Sequence, residues 1–177
     1  NLPGLSLWAR QPYEMHAARP ANYPLSHRFD EGDCMLVCEN VKIPWERVFL
    51  HNDGAQSRQI YIDTPANCYA NHQSNVRFWA KMGLMVGLAS RACLANGIDQ
   101  IPAVRDILGR LAALEATVGG LVAGQNEAWE AWPESPDGYA THNRRIMYAT
   151  LNWCQEHHTE IVDIVRDLMG AAPLQMP

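Results

Sequence analysis

The 177-residue sequence has no uninterrupted apolar run approaching the 18 or more residues of a membrane span. Its first residues lack the charged-then-apolar pattern of a signal peptide. Charge is scarce: Asp, Glu, Lys and Arg make up 19%, below the usual ~25%. The net charge of −5 excludes a generally basic nucleic-acid binder, yet leaves room for a local phosphate site. There is no phosphate loop, no G-x-G-x-x-G after a strand, no G-x-S-x-G elbow and no H-E-x-x-H. Phe is rare at three, against six Trp. The five cysteines (Cys34, Cys38, Cys68, Cys93, Cys154) are odd in number and scattered, which suits reduced thiols in a cytoplasmic protein better than a disulfide framework. Cys34 and Cys38 read as strand residues and have no second ligand pair nearby, so they are not assigned to zinc.

What is present is an apolar fraction of 47%, enough for a sizeable core. The composition changes near residue 64. Before it, Gly4–Ala9 reads as a strand, Cys34–Glu39 as a buried strand and Val41–Pro44 as a short extended piece. The stretch holding Pro12, Pro20 and Pro24 reads as loop.

After Pro65 the period becomes helical. From Ala66 to Asn96 two apolar stripes run side by side: Phe78, Met82, Met85, Ala89 and Ala92, and Val76, Trp79, Gly83, Val86 and Cys93. A helix apolar on both sides is expected to be central and buried among neighbours. Asn96-Gly97 is a stop and Pro102 a start for the next helix, whose stripe is Ile107, Leu111, Leu114, Val118 and Leu121. Its Gly119-Gly120-x-x-x-Gly124 cluster is read as the close approach of a neighbouring backbone. Pro133–Gly138 is a loop, and a third helix runs from about Thr141 to Gly170 along Ile146, Thr150, Trp153, His157, Ile161, Ile164 and Leu168.

These readings predict a mainly α chain with a β-containing lead: residues 1–64, then a helical bundle over 65–177. A fourth bundle helix would have to come from Ala55–Asp63 or from a partner chain. The chain starts at Asn1 without Met, as a piece of a longer polypeptide would.

Two polar clusters invite chemistry. His157 and His158 point about 100° apart on a helix and cannot share a metal; His157 is read as a hydrogen-bonded core histidine. The segment Asn71-His72-Gln73-Ser74-Asn75-Val76-Arg77 packs polar groups into the first turns of an otherwise apolar helix. Such groups must be paired when buried. They form either a capping and interdomain hydrogen-bond cluster or a site wall with a titratable histidine and a phosphate-binding arginine.

Several motifs together resemble one family. Pro24-Leu25-Ser26-His27-Arg28-Phe29-Asp30-Glu31-Gly32-Asp33 and Val41-Lys42-Ile43-Pro44-Trp45-Glu46-Arg47-Val48-Phe49 are followed, in order, by His72-Gln73-x-x-x-Arg77, Gly87-Leu88-Ala89-Ser90 and Leu168-Met169-Gly170-Ala171-Ala172-Pro173. The set resembles the 4-hydroxyphenylacetate 3-hydroxylase family, oxygenase components of two-component flavin monooxygenases with an acyl-CoA-dehydrogenase-like fold. The resemblance implies that residues 1–64 are the end of a β-rich middle domain (a β-barrel) and residues 65–177 a C-terminal helical bundle domain. It implies hydroxylation of a phenol-type ring with O₂ through a flavin C4a-hydroperoxide, the FAD arriving as FADH₂ from a separate flavin reductase, and a homo-oligomer (dimer or tetramer).

The same resemblance implies that His72 is the catalytic base, Arg77 a ligand of the flavin pyrophosphate, Gln73 a contact of the flavin or of a neighbouring chain's cofactor, and Gly170 a close backbone approach. Ala171 and Ala172 replace the glycines the family commonly has there. The iron–sulfur dehydratase branch is disfavoured, because no cysteine follows His72 until Cys93. Glu115 offers a catalytic carboxylate for an acyl-CoA dehydrogenase, but nothing in its pattern singles it out. A helical oligomerisation module without catalysis is the reading from another class.

Overall fold

Apolar residues set in two short extended stretches give a two-stranded antiparallel sheet, β1 (Leu5–Ala9) with β2 (Cys34–Cys38), in the register Leu5 to Cys38 and Ala9 to Cys34. The computed structural model describes residues 2–12, 24–29, 32–132 and 138–170 and divides into two compact units between Asp53 and Gly54. In the first unit, Pro24 opens a short helix, α1 (Pro24–Phe29), where the sequence suggested loop; proline at a first helical position leaves no donor unpaired. Pro20 lies outside the described residues. The β2 strand is where it was expected but is not buried: Cys34 and Cys38 are both exposed, because a two-stranded ribbon covers neither of its own faces.

The second unit begins with α2 (Gly54–Ile62), which occupies the stretch between the division of the units and the composition change near residue 64. Three long helices follow: α3 (Ala66–Ala95), α4 (Pro102–Glu127) and α5 (Arg144–Met169). The stop at Asn96-Gly97 is realised with Gly97 at φ 69°. Asn143 caps α5, its Oδ1 accepting from the Ile146 N–H at 3.0 Å. A two-residue ladder, β3 (Glu130–Ala131) with β4 (Ala140–Thr141), closes the connection from α4 to α5, so Thr141 is strand and not the first helical residue. Residues 133–137 of the expected loop lie outside the described residues.

Hydrogen bonds fix the direction of packing. Asn75 Nδ2 donates to Met147 O at 3.1 Å near the start of α3 and α5, and the Cys93 thiol lies 4.0 Å from Leu168 O near their ends. The two helices therefore run parallel. The antiparallel α4 meets both, with Gln125 at one end of the bundle and the Arg110–Glu160 ion pair nearer the other. Met82, Ala89, Cys93, Leu111, Ile161, Val165 and Leu168 form the main core cluster, and Val118, Val122 and Cys154 a second one. Burial pushes the Cys154 thiol up to about 11, so it stays protonated and inert.

The first long helix is less enclosed than its two stripes suggested. Met82, Ala89 and Cys93 are buried, while Val76, Trp79, Leu84, Leu88 and Leu94 remain exposed. Among the described residues α4 is the one helix long and apolar enough by composition to cross a membrane. Its buried residues face α3 and α5, and apolar surface remains on its outer side.

The glycine cluster in α4 has a different cause from the one expected. Among the described residues no neighbouring backbone approaches it within 4 Å. A Cβ on Gly119 would lie 2.8 Å from Trp79 Nε1, whose indole donates to Glu115 Oε1 at 2.7 Å, whereas Gly120 has nothing within 4 Å. Gly119 thus makes room for a tryptophan side chain. Gly120→Ala is expected to stabilise the fold by about 0.5–1 kcal/mol of helix propensity and so to raise the melting temperature. Gly119→Ala should forfeit that gain by displacing Trp79 from Glu115. Thermal melts of the two variants, with indole fluorescence, check the contrast.

Candidate functional site

The polar segment at the start of α3 divides between two faces. His72 is half-buried and Asn75 fully buried, while Gln73 and Arg77 are exposed. A separation of four positions puts Gln73 and Arg77 on one side of the helix, and a separation of five puts His72 and Arg77 about 140° apart. The helix therefore presents His72 to the bundle and Gln73 with Arg77 outward.

His72 enters a hydrogen-bonded chain that crosses all three long helices. Its Nδ1 lies 2.8 Å from Oε1 of the fully buried Gln125 on α4. Gln125 Nε2 donates to Thr150 Oγ1 at 2.9 Å, and the Thr150 hydroxyl donates to Ile146 O at 2.7 Å. His142, in the loop between β4 and α5, stacks on His72 with ring centroids 3.5 Å apart and planes 17° apart. Tyr69 meets His142 edge-on at 5.6 Å, and its hydroxyl donates to Ala140 O. Cys68 and Thr141 tie the same loop to α3: the Thr141 hydroxyl lies 2.9 Å from Cys68 Sγ, and the thiol 3.5 Å from His142 O.

Burial, and secondarily the neighbouring His72, lowers the His142 pKa below its ordinary value. His142 is therefore neutral at pH 7. This group stabilises the fold above about pH 6.5 and loses that contribution as pH falls through the lowered value. A cavity of about 190 Å³ opens over His142, lined by Tyr69, Asn126, Trp129, Ala140 and Thr141. Beyond it, Arg144 is clamped by Glu130 at 2.6 Å and lies 4.9 Å from the Trp132 ring. That guanidinium holds the Glu130 carboxyl below its usual range.

The expected site residues are not all brought together. Gly170 ends α5 with φ 64° and donates to Arg166 O and Asp167 O. It sits at the level of Cys93, some 21 residues or about 30 Å along α3 from His72. Ala171 and Ala172 lie outside the described residues. His157 stacks on Trp153 at 4.2 Å, with Nδ1 2.9 Å from Trp153 O, as a packed histidine would. Glu115 is tied to Trp79.

Sequence reasoning did not single out His142, Gln125 or Tyr69. Gln125 and Thr150 carried a local signal, a polar residue at a core position of an apolar helix. His142 carried none, because a loop has no periodicity.

The donor set suits a phosphate-bearing flavin. Among the described residues Gln73, Arg77 and Lys81 have no partner, and like charges at i and i+4 repel by about 0.2–0.5 kcal/mol until an anion neutralises them. Among the described residues nothing lies within 4 Å of where a Cβ on Gly170 would stand, so none of them blocks close approach to that backbone.

The family profile described as 4-hydroxyphenylacetate 3-hydroxylase C terminal matches residues 57–177, and the corresponding N-terminal profile matches residues 1–50. The chain is 51% identical over 172 residues (96% of this chain, 32% of the relative) to 4-nitrophenol 2-monooxygenase, oxygenase component, of a Rhodococcus species. It is 33% identical to the pyoverdin chromophore biosynthetic protein PvcC of Pseudomonas aeruginosa, covering 97% of this chain and 34% of that one. It spans about a third of the length of these curated relatives.

Among solved structures, the oxygenase component of 4-hydroxyphenylacetate 3-monooxygenase, complexed with FAD and 4-hydroxyphenylacetate, superposes with a TM-score of 0.83 at 22% identity. The match covers 99% of this chain and 36% of that one. An archaeal 4-hydroxybutyryl-CoA dehydratase from N. maritimus shares the fold at a TM-score of 0.78 and 16% identity, covering 99% and 34%. The fold is thus the mainly helical one expected, with its β-containing lead.

Proposed function

The chain belongs to the 4-hydroxyphenylacetate 3-hydroxylase family, and from that membership we propose that it forms part of the oxygenase component of a reduced-flavin-dependent hydroxylase acting on a phenol. The observation that carries the reading is the 51% identity to a 4-nitrophenol 2-monooxygenase oxygenase component across 96% of the chain. On this reading residues 1–64 contribute the end of a β domain and residues 65–177 the C-terminal bundle. A separate reductase supplies the FAD in reduced form, and the five unpaired cysteines suit a reducing, cytoplasmic compartment.

When bound, the reduced flavin would supply the electrons that activate O₂, and O₂ would supply the oxygen atom delivered to the ring. The chain's own residues bind, orient and move a proton. Gln73 and Arg77 project from the outer face of α3, where a fork of donors suits a pyrophosphate. Gly170 offers bare backbone. His72 accepts the proton of the substrate hydroxyl, which makes the ring carbon more nucleophilic. Exposed Leu84, Leu88 and Leu94 on α3 and the apolar outer side of α4 suit burial against a further copy of the chain, in a dimer or tetramer.

The test is turnover of the assembled oxygenase with reduced FAD, ¹⁸O₂ and a simple phenol such as 4-nitrophenol. One ¹⁸O atom should enter the ring, and a product without it would overturn the reading. Arg77→Ala should weaken flavin binding by roughly 10- to 100-fold, the worth of charge-assisted hydrogen bonds to phosphate. An unchanged flavin titration would remove Arg77 from the site.

A further inference from the structure

We propose that Gln125 and Thr150 lock the tautomer of His72, holding its proton on Nδ1 and leaving the lone pair on Nε2. The direction of every bond in the chain follows from its far end. The Ile146 carbonyl can only accept, so Thr150 spends its single hydroxyl proton on it, at 2.7 Å. The Thr150 oxygen can then only accept from Gln125, which turns the amide NH₂ toward Thr150 at 2.9 Å. That orientation points the amide oxygen at His72, 2.8 Å from Nδ1. An amide oxygen cannot donate. Nδ1 must therefore carry the proton, and in the neutral ring Nε2 is the nitrogen left to accept one.

Burial makes the lock stiff. Gln125 and Thr150 are both at 0% exposure, so neither has water to compensate for a reversed amide. His142, stacked 3.5 Å above, opposes tilting or flipping of the imidazole. The titratable groups held around His72 are His142 against its face, Tyr69 edge-on to His142, and Cys68, whose thiol meets the His142 loop. His142, Gln125 and Thr150 are positioning residues: they act through His72.

This inference rests on the reading of His72 as the base, and deepens it by naming the nitrogen that works and what selects it. A base whose proton sat on the wrong nitrogen would face the substrate hydroxyl with a donor. Correct tautomer selection is therefore worth part of the roughly 10²–10⁴-fold that a general base contributes.

The experiment is nitrogen NMR of the assembled protein labelled with ¹⁵N-histidine, the His72 signals being identified by their loss in His72→Ala. In the wild-type protein with the imidazole in its neutral form, Nδ1 should show the shift of a protonated nitrogen and Nε2 that of a bare one. A bare Nδ1 there overturns the proposal without any variant. Thr150→Val removes the acceptor that orients Gln125, and should move His72 toward the opposite tautomer or a mixture. Thr150→Ser should restore the wild-type signature. A His72 spectrum unmoved by Thr150→Val also overturns the lock.

Hydroxylation measured on the same proteins separates the two readings. A tautomer shift with a hydroxylation step slowed tenfold or more supports both. A tautomer shift with unchanged hydroxylation supports the lock and withdraws the base role from His72.

Discussion

Replacing His72 with alanine is expected to slow hydroxylation by about 10²–10⁴-fold while O₂ is still consumed, the reducing equivalents appearing as H₂O₂ instead of product. The reason lies in what the imidazole does for the substrate. A phenol whose hydroxyl keeps its proton is a poor nucleophile at the ring, and His72, the proposed base, is half-buried and held by Gln125 and His142. The substitution has a structural cost as well. It strips Gln125 Oε1 of its partner inside the bundle, about 1–3 kcal/mol for a buried acceptor left unsatisfied. Stopped-flow kinetics with a peroxide assay, read beside a thermal melt, separate the two effects. A full hydroxylation yield with only a lowered melting temperature would return His72 to a purely structural role, and with it the whole polar segment.

The largest effect on stability is expected at Ile161. Its side chain is at 0% exposure where α3, α4 and α5 meet, against Met82, Ala89, Cys93 and Leu111. Ile161→Ala should cost about 2–5 kcal/mol, the transfer term plus the cavity left behind. At about 2–4 °C per kcal/mol this is a drop of roughly 4–20 °C in melting temperature. Leu84→Ala on the outer face of α3, half exposed in the single chain, supplies the comparison. An isolated chain should lose little there. A loss at Leu84 as large as at Ile161 would mean that another copy covers that face in solution. A small loss at Ile161 would contradict the core assigned to these helices.

The helices themselves were written plainly in the chain. Pro65, Asn96-Gly97, Pro102 and Gly170 are local punctuation whose effect does not depend on distant residues, so α3 begins and ends within one residue of the expected bounds. The short helix at Pro24 was missed because proline both breaks and begins helices, and only the residues after it decide. The strand at Cys34 was legible as a strand, yet its burial depends on what lies against it, which alternation cannot report.

Contacts across the chain were the least legible. Gln125 meets His72 across 53 positions and Trp79 fits Gly119 across 40; no pattern local to either partner encodes such pairings. Polarity at Asn75, Gln125 and Thr150 advertised a need for partners without saying which. The family motifs pointed to His72, and the packing supplied the residues that aim it.

The parallel course of α3 and α5 has a consequence for how many sites one chain can serve. His72, Gln73 and Arg77 lie at one end of the bundle and Gly170 at the other, about 30 Å away along rigid helices. If Gln73, Arg77 and Gly170 touch flavin and His72 the substrate, as proposed, one polypeptide contributes to two different cofactor sites, the front of one and the back of another. Every site is then shared property, completed only when a second molecule arrives with the opposite end. Subunit association would accordingly set the number of finished sites, and a dilute preparation of intact, well-folded chains would contain many halves and few wholes.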